Sequence, residues 1–257
     1  MKLLKELHHK LSIAVCSIKH CTMKRFGNLI KHVFYWLRKS TLQNTGYSGF
    51  AKQKSHAVKW NNKNIEELKS KSQIKVYAKE CLGISIRTTF DNLMLEQQKA
   101  ALAGMQYAAT RYGKVESLSI GSFISTTLDG KFLIEDGTIE FSTTCNDAFL
   151  TGFHEYIHAI DADNSSNLNV LKSDVGATCY NVYSSRVLKK ARMKLGLRLN
   201  SRRYNDALLQ IFDLDIKLFH AHCSECQEIA AYALEKAEFD AYSNELSKAI
   251  AKEFGND

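Results

Sequence analysis

Hydrophobic positions recur along most of the chain at the spacings of regular secondary structure. Apolar residues at steps of three or four predict an amphipathic helix over residues 3–38. The same helical spacing predicts a helix over residues 91–112 and a mostly helical region over 174–220. A last helix is expected from about residue 225 to 253. Long helices therefore account for much of the predicted fold.

Shorter segments alternate between apolar and polar residues, or are bounded by turn signals, as strands are. Asp129-Gly130 and Asp136-Gly137 are dipeptides that favour tight turns between such segments. The predicted strands cover residues 74–77, 84–87, 118–125, 132–135 and 138–142. Combined with the helices, they predict an α+β fold with a small mixed sheet.

Two stretches of polar residues interrupt these patterns. Residues 40–62 are rich in Asn, Ser, Gly, Gln and Lys and are predicted to be a linker or mobile loop. Residues 163–170 are predicted to be a polar loop. The first stretch divides the chain into a basic helical segment with its linker, residues 1–62, and a folded domain, residues 63–257.

The charge of the chain is unevenly distributed. Residues 1–75 hold 16 Lys and Arg against 3 Asp and Glu, whereas the whole chain of 257 residues carries a formal net charge of +8. The rest of the chain is therefore acidic. A basic amphipathic helix is suited to an anionic membrane surface, a nucleic acid or a protein partner. The alternative is a helix packed on its own domain with a solvated basic face.

The seven cysteines and the hydropathy bear on location. The cysteines are scattered and odd in number, which argues against a disulfide framework and for a reducing compartment. The sequence has no apolar run of 18 residues or more, and the apolar run at residues 11–18 is followed by Lys19 without a cleavage motif. These features predict a cytoplasmic protein without a signal peptide or a transmembrane helix.

The most specific chemical signal is the motif His154-Glu155-x-x-His158. On a helix, His154 and His158 lie one turn apart on the same face, so both imidazoles can bind one Zn²⁺ ion. Glu155 lies beside them, where it can act as a general base on a water molecule. The alternative is a helix with two incidental histidines. The flanking residues are mostly apolar, as expected for a helix that lies in an active site.

A catalytic zinc ion usually has three protein ligands, so the motif lacks one. The glycine and the third histidine of the metzincin pattern are missing, because Asp161 and Asn164 stand at their offsets after His158. A glutamate from the last helix remains, and the candidates are Glu228, Glu235 and Glu238. Steps of seven and three place these three residues on roughly one helical face, so periodicity alone leaves the choice open.

The segment Ile229-Ala-Ala-Tyr232-Ala, followed by Glu238-Phe239-x-Ala241, resembles the second-helix motif of zincin-like peptidases of phages and related mobile elements. The strand Thr-Ile-x-Phe, followed by Phe-His-Glu-Tyr-x-His-Ala-Ile-Asp, fits the same group. The resemblance covers about residues 90–250. It implies a zinc metallopeptidase that acts on a protein or peptide, in the host cytoplasm or associated with a virion. It also implies that Glu238 is the third ligand. Asp240, inside the turn, departs from the pattern.

The resemblance also implies supporting roles. In zincins the edge strand of a small sheet lines the cleft, and the strand over residues 138–142 is the candidate here. Independently of the resemblance, Asp161 lies three residues after His158, about one turn along the same helix. Its carboxylate could fix the tautomer of a metal-bound histidine, or it could lie at the helix end or face solvent. Tyr232 or Tyr242 could donate a hydrogen bond to a developing oxyanion, although packing is the commoner role of a tyrosine.

Two alternatives stand beside this interpretation. His220, His222, Cys223 and Cys226 form a second cluster of potential zinc ligands, although such a cluster is more often the start of a helix. The second alternative concerns the whole chain. The domain could be an inactive zincin-like scaffold, and the basic segment could bind nucleic acid, membrane or a protein.

Overall fold

The computed structural model describes residues 63–167 and 182–255, all of which belong to a compact unit that spans Lys59–Asp257. The predicted basic helix over residues 3–38 and the linker over residues 40–62 lie outside the described residues. Within the described ranges, no helix is long and apolar enough to cross a membrane.

The described elements form an α+β fold with one small mixed sheet, as predicted. Two single-turn elements accompany the helices and strands, a π-helical turn at Ala78–Leu82 and a 3₁₀ turn at Thr88–Asn92. The strands are β1 (Ser85–Ile86), β2 (Ser119–Phe123), β3 (Gly130–Leu133) and β4 (Thr138–Ser142). The helices are α1 (Lys63–Glu66), α2 (Lys71–Tyr77), α3 (Leu95–Tyr112), α4 (Ala148–Asn167), α5 (Val182–Lys194), α6 (Arg202–Ile211), α7 (Ile216–His222), α8 (Cys226–Phe239) and α9 (Glu245–Phe254).

The four strands lie in the order β1-β2-β4-β3. β1, β2 and β4 are parallel, and β3 pairs antiparallel with β4. Ile139 and Phe141 of β4 are fully buried, whereas Glu140 between them forms an ion pair with Lys131 of β3 at 3.0 Å. The prediction that Thr138–Ser142 is an edge strand is wrong, because this strand lies between β2 and β3. The edge strands of the described sheet are β1 and β3.

Helices α3 and α4 pack against each other with almost no space between their backbones. A Cβ atom on Gly104 would lie 2.1 Å from the carbonyl oxygen of Phe149, and one on Gly152 would lie 2.4 Å from that of Ala101. Both obstacles are backbone atoms, which cannot move aside as a side chain can. Glycine at these two positions therefore sets the distance between α3 and α4, and it fixes the position of the helix that carries the His-Glu-x-x-His motif.

Helix α8 contacts α4 and buries several small residues. Ala230, Ala231 and Ala233 are fully buried, and Ile229 and Leu234 are buried beside them. Short side chains allow two helix axes to approach closely. The carboxylates of α8 can therefore reach the histidines of α4.

Three predicted elements differ from the structure. Residues 74–77 belong to helix α2, because Ile74, Tyr77 and Ala78 are buried at the spacing of a helix. Helix α4 continues to Asn167, so residues 163–167 of the expected loop are helical, and residues 168–170 lie outside the described residues. The expected last helix is two helices, since α8 ends at Phe239 and Asn244 caps α9 by accepting from the backbone N–H of Ser247 at 2.8 Å.

Candidate metal centre

Helix α4 presents the two histidines of the motif side by side. Asp147 caps its first turn, because the Asp147 carboxylate accepts from the backbone N–H groups of the next residues at 3.0–3.1 Å. Phe153 and Ile157 are fully buried and hold the apolar face of the helix against the core. His154 and His158 occupy another face, with their ring centroids 4.8 Å apart and their side chains only 12% and 11% exposed. The predicted placement of both imidazoles on one face is therefore observed.

Glu228 of helix α8 completes a group of three potential metal ligands with these histidines. One carboxylate oxygen lies 3.3 Å from Nε2 of His154, and the other lies 3.3 Å from Nε2 of His158. Ligand atoms bound tetrahedrally to zinc at about 2.0–2.1 Å are about 3.3 Å from one another. Each of the two distances is therefore close to the ligand-to-ligand distance of a tetrahedral zinc site.

Glu235, two turns beyond Glu228 on the same helix, holds the other nitrogen of His154. His154 Nδ1 donates to Glu235 Oε1 at 2.6 Å. This hydrogen bond fixes the ring orientation and leaves Nε2 free to bind a cation, as carboxylate partners do for metal-binding histidines. Glu235 thus positions His154, a role that the sequence analysis did not assign to it.

The electrostatics of the group show strong coupling between imidazole and carboxylate. Burial alone would lower the pKa of His154, but the carboxylates of Glu235 and Glu228 raise it well above its ordinary value. Burial alone would raise the pKa of Glu228, but its contacts with both histidines lower it strongly. In the absence of metal, the site therefore favours a proton on the imidazole and a negative charge on Glu228. A divalent cation can replace that proton.

Glu155 lies deep in the site, next to the edge strand of the sheet. Its side chain is buried, and burial raises the pKa of its carboxyl group. A Cβ atom on Gly130 of β3 would lie 3.3 Å from Glu155 Oε1 and only 2.4 Å from the methyl carbon of Thr151. The absence of a side chain at Gly130 therefore gives the Glu155 carboxylate its space beside β3. Gly130 was considered in the sequence only as part of a turn.

The two candidate tyrosines have different locations. The ring of Tyr232 lies 4.8 Å from that of His154, and burial raises the pKa of its hydroxyl group, with further contributions from Glu235 and Glu228. Tyr232 therefore stays protonated beside the metal-binding group and can donate a hydrogen bond. Tyr242 is 83% exposed and follows the end of α8. Only Tyr232 is a neighbour of the histidines.

The structure does not bring Glu238, the ligand implied by the resemblance, to the histidines. Its carboxylate accepts from the hydroxyl groups of Tyr107 and Tyr112 at 2.8 and 2.6 Å, and from Nε of Arg111 at 3.1 Å. All three donors belong to helix α3. Glu238 therefore connects α8 to α3, and Glu228 is the glutamate of α8 that lies beside both histidines.

Asp161 also has a different role from the one suggested by its spacing. It is buried, and its two oxygens accept from the backbone N–H and the hydroxyl group of Ser184 at 2.7 and 2.8 Å. Burial raises the pKa of Asp161 to about 6, although these hydrogen bonds oppose the shift. Its contacts connect α4 to α5 and do not hold a ring nitrogen of His158.

The second predicted cluster is only partly assembled. His222 Nδ1 contacts Glu225 Oε2 at 2.9 Å, and these two residues form another potential metal-binding group with Glu228. Within the described ranges, Cys223, Cys226 and His220 belong to no such group. Glu225 was not singled out from the sequence, although its position three residues before Glu228 is a usual spacing for residues on one helix face.

Comparisons of the chain with protein-family models, with curated proteins and with solved structures find no match. The geometry of the site is therefore the basis for its chemistry. It combines two imidazoles, one shared carboxylate and a buried glutamate.

Proposed function

We propose that this chain is a zinc-dependent peptidase of the zincin-like type, in which His154, His158 and Glu228 hold the metal ion. The observation that carries the proposal is the position of the Glu228 carboxylate. One of its oxygens lies 3.3 Å from Nε2 of His154, and the other lies 3.3 Å from Nε2 of His158. The sequence motif alone provides two ligands, and a carboxylate from a distant helix supplies the third.

The donor set fits zinc better than the other common cations. Two imidazoles and one carboxylate in a tetrahedral arrangement are typical of a catalytic zinc site, which keeps one position for water. Calcium and magnesium prefer sets of six or more oxygens. A zinc ion bound here would polarise a carbonyl group and lower the pKa of water from about 15.7 to about 7.

Glu155 is the proposed general base. It neighbours both ligand histidines in the sequence motif, and its raised pKa brings it closer to the range in which a carboxylate can accept and return a proton near neutrality. In the proposed reaction, Glu155 accepts a proton from the attacking water and donates it to the leaving amine. Tyr232 is the proposed donor of a hydrogen bond to the oxygen of the scissile carbonyl group, because its ring lies 4.8 Å from that of His154.

The edge strand β3 is the proposed binding strand for an extended peptide. Its only strand partner in the described part of the chain is β4, so its other edge can pair with a substrate backbone. Gly130 of this strand lies against Glu155, so a peptide added to β3 would run beside the proposed base. This assigns to β3 the role that the sequence analysis gave to residues 138–142.

The test is a comparison of Glu155→Gln with the parent chain on a mixture of unstructured peptides, with cleavage followed by mass spectrometry. The parent is expected to cleave peptides, and a chelator should abolish the cleavage. Glu155→Gln should lose at least about 100-fold of the rate, because general base catalysis contributes about 10²–10⁴-fold. It should keep its zinc, since Glu155 is not one of the ligands.

The matched control is Glu96→Gln, a glutamate that is 81% exposed on helix α3. It should cleave and bind zinc like the parent. Cleavage by Glu155→Gln at the parental rate would refute the assignment of the base. A parent chain that binds no zinc after dialysis against the metal would refute the metal site itself.

A further inference from the structure

Glu228 belongs to two potential metal-binding groups at once. The first contains His154 and His158, and the second contains His222 and Glu225. In each group the ligand atoms lie within 4.8 Å of one another. A carboxylate has two oxygens, so a single glutamate can bridge two metal ions.

The second group has the spacing of metal ligands. His222 Nδ1 and Glu225 Oε2 are 2.9 Å apart. Ligand atoms at right angles on an octahedral ion, at bonds of about 2.1 Å, are separated by about 3.0 Å. The side chains of His222, Glu225 and Glu228 are 31%, 43% and 21% exposed, so water can complete the coordination.

The carboxylates of the region carry enough negative charge for more than one divalent cation. Four carboxylates belong to the two groups or adjoin them, and the described Lys and Arg residues form no ion pair with any of them. The four residues are Glu155, Glu225, Glu228 and Glu235. A histidine that binds a metal is neutral, so one divalent cation would leave two negative charges. Two divalent cations would neutralise all four.

We propose that His222, Glu225 and Glu228 bind a second divalent transition-metal ion, with Glu228 as a carboxylate bridge between the two ions. The imidazole ligand favours Zn²⁺ over Ca²⁺ or Mg²⁺, and the two carboxylates also suit Mn²⁺. This inference rests on the proposed function for the first ion only through the shared residue Glu228. The second ion would hold Glu228 and the beginning of α8 in place, and it would make the centre a two-metal site.

The neighbouring cysteines do not provide the same site. Cys223 and Cys226 are partly buried, and burial raises the pKa of the Cys226 thiol, which opposes the thiolate form that metals require. His220, the other predicted ligand of that cluster, is exposed on α7. Imidazole and carboxylate oxygen are therefore the expected donors of the second site.

The experiment is equilibrium dialysis of the full chain against Mn²⁺ or Zn²⁺, followed by elemental analysis. The parent should bind about two ions per chain. His222→Ala and Glu225→Gln should each bind one, and His154→Ala should also bind one. The control His220→Ala should keep both. With Mn²⁺, electron paramagnetic resonance should show a coupled pair in the parent and an isolated ion in His222→Ala.

The outcomes separate this proposal from the peptidase proposal. A single ion that is lost in His154→Ala and kept in His222→Ala would overturn the second site and leave the first. A single ion that is lost in His222→Ala and kept in His154→Ala would overturn the zinc peptidase and leave the second site. Loss of the second ion in a Cys223→Ser/Cys226→Ser variant would also overturn the proposal, because the ligands would then be thiolates.

Discussion

Helix α8 carries two kinds of carboxylate site, and their contrast explains which glutamate can serve as a metal ligand. On its side toward α4, Glu228 faces two imidazoles and Glu235 faces a third ring nitrogen. At its end, Glu238 accepts hydrogen bonds from two tyrosine hydroxyls and an arginine. Imidazole nitrogens can exchange a proton for a metal ion, whereas a guanidinium cannot. Burial and Glu238 raise the pKa of both tyrosine hydroxyls, so these keep their protons. The neighbours of each glutamate therefore decide its chemistry.

Helix geometry accounts for the difference. Seven residues separate Glu228 from Glu235, which is about 20° short of two full turns, so both face α4. Ten residues separate Glu228 from Glu238, which corresponds to about 80° around the helix and about 15 Å along it. This rotation and this displacement carry the Glu238 side chain away from the histidines of α4, and its hydrogen-bond donors belong to α3.

The largest expected effect distinguishes the two sites directly. Glu228→Ala should weaken zinc binding by more than about 100-fold, because it removes a ligand, and the loss of an outer partner alone costs about 10–100-fold. Glu238→Ala should leave zinc affinity nearly unchanged. It should lower the free energy of unfolding by about 2–4 kcal/mol, because it leaves two tyrosine hydroxyls without their acceptor.

Both variants are measured by competition with a fluorescent zinc chelator and by urea unfolding of the metal-free chain. The opposite pattern would restore the ligand assignment that the resemblance implies: weak zinc binding in Glu238→Ala with normal binding in Glu228→Ala. A similar loss of zinc in both variants, together with equal destabilisation, would show that the two sites are not independent.

Glu235→Gln tests the position of His154 separately from ligation. Glutamine can still accept from His154 Nδ1, but it carries no charge, so the imidazole becomes a weaker ligand. Zinc affinity should fall by about 10-fold, the lower end of the range for outer partners. In Glu235→Ala the zinc affinity should fall further, by up to about 100-fold. Isothermal titration with zinc gives both values, and equal affinities for the parent and Glu235→Ala would remove Glu235 from the centre.

Much of the fold follows from the sequence because periodicity reports local structure. The limits of β4 and the end of α3 at Tyr112 agree with the prediction, since alternation and helical spacing are clear there. The order of strands depends on long-range pairing, so a pattern cannot show that β4 lies inside the sheet. The strand predicted over residues 74–77 failed because an alternating run of four residues also fits part of a helix.

The site is predictable where its residues are close in sequence. His154, Glu155 and His158 belong to one turn of helix, so their spacing fixes their geometry. Glu228 lies seventy residues after His158, and its approach depends on the packing of α8 against α4. The small residues Ala230, Ala231 and Ala233 indicate a close helix contact, but they do not identify the partner helix.

Gly130→Ala tests whether the space beside β3 matters for the position of Glu155 and for the stability of the fold. The added methyl group would contact both Thr151 and Glu155, and overpacking of this kind costs about 1–3 kcal/mol. We expect reduced stability and a fall of about 10-fold in kcat/KM, because a displaced base transfers protons less well. Urea unfolding and peptide cleavage measure the two effects.

A double variant separates the two contacts. Thr151→Ser removes the methyl group that a Cβ at residue 130 would meet at 2.4 Å, and it retains the hydroxyl group that contacts Cys145. Gly130→Ala/Thr151→Ser should therefore regain most of the stability while its kcat/KM stays low. Recovery of both quantities together would show that the position of Glu155 does not depend on Gly130.

The smallest expected effect compares Glu238 with Asp161, whose pKa values shift in opposite directions. Donors from α3, including the Arg111 cation, overcome the effect of burial and lower the pKa of Glu238 below 4.5. The described donors to Asp161 are neutral, and burial raises its pKa from 3.8 to about 6. Ionised Glu238 therefore stabilises the fold above about pH 4.5, and this contribution is lost as pH falls. Asp161 stabilises the fold when protonated, and this contribution is lost as pH rises from about 4 through 6.

Asp161→Asn should remove the second of these pH dependences, because asparagine can still accept from Ser184 and does not ionise. The parent should lose about 1–2 kcal/mol of stability relative to Asp161→Asn between pH 5 and 7, since each pKa unit corresponds to about 1.4 kcal/mol. Unfolding is followed with a chelator present, because a cation near His158 would favour the ionised carboxylate. The pH dependence has the opposite sign for Glu238→Ala. The stability of this variant relative to the parent improves as pH falls below about 4.5. A pH-independent difference between the parent and Asp161→Asn would mean that Asp161 is ionised throughout, and the contact between α4 and α5 would then involve a buried negative charge.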